Sequence, residues 1–141
     1  MDKVAEFYAR WFANKPAQEY SAAEAASEEL AKELIGVHAS NKRDFWQTCA
    51  VKFLHGTILH LSSKAHLKGE ERMTLWEVIA FLEVQPIEKS WTELMVSQAS
   101  EEGIRRIAAE AGELMLNSPG PVTGAILGTL FSRLCEEARA A

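Results

Sequence analysis

Three Ser/Thr-x-x-Glu tetrads, Ser21–Glu24, Thr74–Glu77 and Ser90–Glu93, stand immediately before apolar residues spaced at three and four. Such a tetrad lets a hydroxyl and a carboxylate satisfy the free N–H groups of a helix's first turn, so it marks a helix start. A chain with three of them, no run alternating apolar with polar and no Asn-Gly or Asp-Gly turn has little material for a sheet. The expected class is all-α, a compact bundle-like domain of about seven helices.

The apolar periodicity fills in the rest. Val4, Phe7, Tyr8, Trp11 and Phe12 form a stripe over residues 2–14, which Pro16 closes. A second helix starts at Ser21, buries Ala23, Ala26, Leu30 and Leu34, and stops at Gly36. The longest spans about residues 42–64. Its stripe of Trp46, Cys49, Ala50, Phe53, Leu54, Thr57, Ile58 and Leu61 is wide enough to need neighbours on several sides. Residues 66–71, with Gly69, read as an exposed loop. Helices are expected from Thr74, from Ser90 and from about Ser100 to Leu116, the last with an exposed Arg106–Glu110 pair. Asn117-Ser-Pro-Gly-Pro121 breaks the chain before a final helix over about 122–138. Gly120, Gly124 and Gly128 recur every fourth residue there, and the expectation is that they admit a neighbouring backbone. No repeat or linker divides the 141 residues, so residues 1–141 are read as one domain.

Composition excludes some functions. The net charge is −5, which disfavours bulk attraction to nucleic acid or anionic lipid. The charge is uneven: residues 1–37 carry −3, residues 38–72 carry +3 with all four histidines, and residues 73–141 carry −5. An anion-binding surface is therefore expected from the middle segment. Its candidates for DNA or cargo contact are Lys42, Arg43, Lys52, Lys64, Lys68 and Arg72. Two cysteines, Cys49 and Cys135, lie in apolar helical patterns and fit a reducing, cytoplasmic setting. There is no secretory leader pattern at Met1-Asp2, and the apolar stretch from Val122 to Phe131 is too short to span a bilayer.

Chemistry is hard to find in the sequence. No Gly-Lys-Ser/Thr phosphate loop is present, so no nucleotide or other cofactor is expected. His55 and His60 are five residues apart, about 140° around a helix, and no metal site is expected. The adjacent carboxylates Glu28–Glu29, Glu70–Glu71, Glu101–Glu102 and Glu136–Glu137 diverge on helix surfaces. No Gly-x-Ser-x-Gly elbow occurs. The chain by itself is read as no enzyme. An all-α enzyme would need His55 and His60 to meet carboxylates in the fold. Trp11, Trp46, Trp76 and Trp91 are read as core rather than as a base-stacking platform.

Phe45-Trp46, Ala50, Leu54, Ile58, Leu59 and Leu61 resemble the Phe-Trp helix in the all-alpha domain of type IV secretion coupling proteins, the TraG/TraD-like conjugation ATPases. Ala26, Leu30, Ala31 and Leu34 resemble the helix before it. Residues 74–82 resemble the Thr-Leu helix after it, and Ser118 through Leu134 the domain's last helix. The likeness covers about residues 20–136; the first helix lies outside it. It implies a substrate-recognition domain inserted between the ATP motifs of a hexameric, inner-membrane-anchored bacterial ATPase. The domain would face the cytoplasm and meet relaxase or relaxosome DNA, or secreted effector proteins, without membrane contact of its own. The ATPase chemistry would lie in the parent, and Phe45, Trp46, Ala50, Leu54 and Ile58 would be core. The alternative is a free-standing helical adaptor or chaperone-like module that binds a partner helix through Phe7, Tyr8, Trp11 and Phe12.

Overall fold

A computed structural model describes residues 1–13, 21–36 and 45–140. Among these the chain forms seven helices and no strand. They are α1 (Lys3–Trp11), α2 (Ser21–Ile35), α3 (Phe45–Leu67), α4 (Leu75–Leu82), α5 (Glu88–Met95), α6 (Glu102–Leu116) and α7 (Gly120–Ala140). The all-α expectation holds, and the helices pack through many contacts distant in sequence.

Helix α3 is the axis of the fold. It packs against α2, α6 and α7, and more lightly against α4 and α5. Its buried residues, from Cys49 and Ala50 through Ile58 and Leu59 to Ala65, point in every direction around the helix. Where the helix is enclosed, its polar side chains need internal partners; Ser62 Oγ has none among the described residues. Thr57 finds one by donating to the Phe53 carbonyl at 2.8 Å. Ser27 Oγ of α2 donates to the Glu24 carbonyl at 2.9 Å and lies 2.7 Å from His55 Nδ1. That hydroxyl proton is already committed, so His55 Nδ1–H is the donor to Ser27.

Close helix contact is made by glycines that the periodicity did not single out. A Cβ on Gly56 would lie 2.5 Å from Ala111 Cβ and 3.0 Å from the Ile107 carbonyl oxygen. A Cβ on Gly112 would lie 2.4 Å from the Trp91 carbonyl oxygen. These two positions set the α3–α6 and α5–α6 distances. The expected stripe behaves otherwise: a Cβ on Gly120, Gly124 or Gly128 would meet nothing within 4 Å. The four-residue spacing is real, but that face of α7 is exposed.

The helix starts show how tertiary contacts compete with local ones. At α4 the box forms: Glu77 accepts from the Thr74 N–H at 2.7 Å and from the Thr74 hydroxyl. Helix α2 begins at Ser21 as expected, but Glu24 Oε1 is buried beside Gly103 with no hydrogen-bond partner among the described residues. Helix α5 begins at Glu88, ahead of the expected Ser90. Ser90 is spent on the Phe81 carbonyl, at 2.7 Å, and Glu93 on α3. The Arg106–Glu110 pair is not among the ion pairs of the described residues; Arg105 instead donates to the Ala99 and Ser100 carbonyls.

Helix α1 belongs to the core. Val4, Phe7, Tyr8 and Phe12 are buried, and Tyr8 Oη donates to the Glu70 carbonyl at 2.6 Å. The face expected to receive a partner helix is thus covered by the chain itself, with only Trp11 partly open. Asp2 caps α1 through the Ala5 N–H at 2.9 Å and also accepts from the Leu75 N–H of α4 at 3.0 Å. Asp2→Ala removes the acceptor for both and is expected to cost about 1–2 kcal/mol, as cap removals do. Urea unfolding would show this as a lower midpoint at unchanged m-value.

Candidate functional site

The C-terminal half of α3 carries Lys64 in its last turn; Lys68 follows the helix, and Arg72 lies in the loop to α4. The turn after α5 lies alongside. Two concavities meet here. The first is a cavity of about 420 Å³ between α3 and the turn, lined by His60, Lys64, Leu67, Lys68, Glu93 and residues 96–99. The second is a groove between α3 and α4 that takes in Lys64, Lys68, Arg72, Glu70, Glu77 and Glu93.

A part-buried polar array joins the cavity to α5. His60 Nε2 lies 2.6 Å from Glu93 Oε2, and Lys64 Nζ lies 3.0 Å from the same oxygen. His60 Nδ1 lies 2.8 Å from Ser97 Oγ. An ionised carboxylate only accepts, so Nε2 carries the proton and Nδ1 accepts from the Ser97 hydroxyl. The ring is neutral: burial pulls His60 below the ordinary imidazole value of 6.5, against the hydrogen bond and charge of Glu93. Burial pushes Glu93 up, but the hydrogen bonds from His60 and Lys64, together with the Lys64 charge, outweigh it and hold the carboxyl below 4.5.

One condition set for an all-α enzyme, a histidine meeting a carboxylate, is therefore met by His60, though not by His55, which pairs with Ser27. The Ser97–His60–Glu93 spacing has the distances of a nucleophile–base–acid relay. Glu93 divides its charge between His60 and Lys64. Ser97 is 8% exposed and His60 4%, so both lie in the cavity floor. The array ties α3 to α5 and fixes the cavity's shape. Sequence reasoning missed it because its members are 33 and 37 residues apart.

The sequence-predicted cations divide into groups. Lys64, Lys68 and Arg72 come together around the groove. Lys52 does not join them. It is twelve residues from Lys64 along α3, about 18 Å at 1.5 Å per residue, and faces Glu110 and Glu113. Lys42 and Arg43 lie outside the described residues. The groove is also not a bare basic patch, because three carboxylates interleave with its three cations. Lys68 and Arg72 make no ion pair among the described residues, whereas Lys64 is held by Glu93.

The aromatic expectation is corrected in part. Trp91 is buried and Trp11 half-buried, but Trp46 is 39% and Trp76 60% exposed. Phe45, expected as core, is 63% exposed and meets Trp46 edge-to-face at 5.3 Å. Trp76 sits one position beyond Leu75, off the inward face of Leu75, Val78, Ile79 and Leu82. Ala50, Leu54 and Ile58 are buried as expected. Cys49 is buried, and burial pushes its thiol up against the opposing charge of Lys52. Among the described residues no three His, Cys, Asp or Glu side chains come together as metal ligands. No helix among them is long and apolar enough to cross a membrane. No family model, curated protein or solved structure matches this chain.

Proposed function

We propose that this chain is a cargo-recognition domain, of the all-alpha type carried by type IV coupling ATPases, and that the α3–α4 groove is its contact surface. The observation that carries the reading is the pairing of Lys68 and Arg72, two exposed cations without ion-pair partners among the described residues, with an apolar cavity next to them. The relaxosome and effector proteins are the two cargo classes that the resemblance implies. The groove's charge pattern favours a protein segment. Duplex DNA would need a row of uncompensated cations along its phosphates, and here Glu70, Glu77 and Glu93 sit among them. A peptide with spaced carboxylates and an apolar residue complements the pattern better. ATP chemistry would belong to the parent protein.

Fluorescence anisotropy of the purified chain with two probes tests this: a labelled Glu-rich peptide carrying one leucine, and a labelled single-stranded DNA. The expected result is salt-sensitive peptide binding that weakens about tenfold or more when Lys68 and Arg72 both become Glu, as loss of two contacts of ~1 kcal/mol each would do. No peptide binding at low salt would overturn the reading. DNA binding that is tighter and depends on the same two residues would move the cargo to nucleic acid. The parent is tested by the flanking genomic sequence, which should encode a phosphate-binding loop upstream and a strand-borne acidic motif downstream.

A further inference from the structure

The cavity between α3 and the turn after α5 shares its charged residues with the groove but adds aliphatic walls and a His60–Ser97 floor. Its volume, about 420 Å³, lies in the range of small-molecule sites, which join apolar walls to a few convergent polar groups. Leu67 and Val96 flank it, 54% and 62% exposed, and Ala99 is buried in its wall. These side chains give the mouth of the cavity an apolar rim.

The polar groups around the cavity set the charge of an occupant. Lys68 is an ammonium without an ion-pair partner among the described residues, and Lys64 is already bound by Glu93. The ionised Glu93 is itself a lining residue, so a dianion such as a phosphate monoester would meet a carboxylate as well as the lysines. A monoanion can take the Lys68 ammonium and leave the Glu93–Lys64 pair intact. The floor adds no charge, because the neutral His60 ring and the Ser97 hydroxyl satisfy each other. At about 30 Å³ per water-sized unit, the space holds on the order of ten to fourteen non-hydrogen atoms.

We propose that this cavity binds a small amphipathic monocarboxylate, a saturated or aromatic chain of about six to ten carbons, with its carboxylate on Lys68 and its tail between Leu67, Val96 and Ala99. The site shares Lys64, Lys68 and Glu93 with the cargo groove, and Arg72, which lines the groove and not the cavity, separates the two readings.

Octanoate is the probe, titrated into the ¹⁵N-labelled chain and followed by amide shifts and by calorimetry. Saturable binding is expected, with the largest shifts at Ser97, Gln98 and Ala99. Octylamine should bind at least tenfold more weakly, and octanol measurably more weakly. Lys68→Gln should weaken octanoate fivefold or more. Val96→Trp, at an exposed position that leaves folding intact, should block it by filling the mouth. Arg72→Glu should change octanoate affinity by less than about threefold while weakening the peptide contact, so the two readings can fail separately. Non-saturable shifts, octanol binding as tightly as octanoate, or an unchanged affinity in Lys68→Gln would each overturn the site.

Discussion

Gly56→Ala will destabilise the fold by about 2–3 kcal/mol, the upper part of the range for forcing a methyl into a filled core, while Gly124→Ala will stabilise it by up to ~1 kcal/mol. Both glycines lie inside long helices, so intrinsic helix propensity favours alanine equally at both. The tertiary surroundings decide the sign. At Gly56 the new methyl would lie 2.5 Å from Ala111 Cβ and 3.0 Å from a backbone oxygen of α6. Ala111 cannot rotate away, and a helix carbonyl cannot move without its helix. The α3–α6 contact must open, and it is the most extensive in the domain. Gly112→Ala should be as damaging, because the obstructing atom is the Trp91 carbonyl oxygen. At Gly124 and Gly128 nothing stands within 4 Å, and alanine lowers only the entropy of the unfolded chain. Parallel urea melts of Gly56→Ala and Gly124→Ala check this; midpoints moving in the same direction would contradict the helix arrangement.

The same glycines show where the sequence is legible. A period of three and four residues reports which face of a helix is apolar, and it placed Leu54, Ile58 and Leu82 inside. It cannot report which helix lies opposite. Gly56 carries no signal of its own in a wide apolar stripe, yet it sets the closest approach. The regular series Gly120, Gly124, Gly128 carries a strong signal and faces open space. The capping tetrads divide in a similar way. Thr74–Glu77 is satisfied locally. Ser90–Glu93 has the same pattern, but its hydroxyl and carboxylate have tertiary partners, and the helix starts before them. The candidate site was half legible. Charge counting located Lys64, Lys68 and Arg72, because they crowd one stretch of chain. It could not see that Glu77 and Glu93, from the acidic C-terminal half, would be folded back among them. His60 carried no visible partner, because Glu93 and Ser97 are supplied by a different helix and its following turn.

Glu93 is the member of that array whose loss should matter most. Glu93→Leu leaves the His60 Nε2–H without its acceptor and frees Lys64; because Glu93 is half-open to solvent, the loss is roughly 1–2 kcal/mol rather than that of a fully buried pair. His60 and Glu93 also make the fold acid-sensitive, and both act in one direction. The His60 value is lowered in the folded chain, so its contribution is complete above the unfolded value of 6.5, where both states are neutral. As pH falls below that value the unfolded chain takes up the proton first, and stability declines until pH passes the folded value. His55 is lowered by burial as well and adds to the slope, with Glu28 opposing. Glu93 is held below 4.5, so its contribution is lost at lower pH, from the unfolded value downward through the folded one. Thermal unfolding should show a flat plateau above about pH 7, a decline beginning near 6.5 and a steeper one below 4.5. His60→Gln supplies a neutral side chain with the same need for Glu93 and Ser97. It should begin lower on the plateau, and its decline between pH 6.5 and 4.5 should be shallower than the parent's, retaining the share due to His55. A decline in that window as steep in His60→Gln as in the parent would show that the acid sensitivity lies elsewhere in the fold.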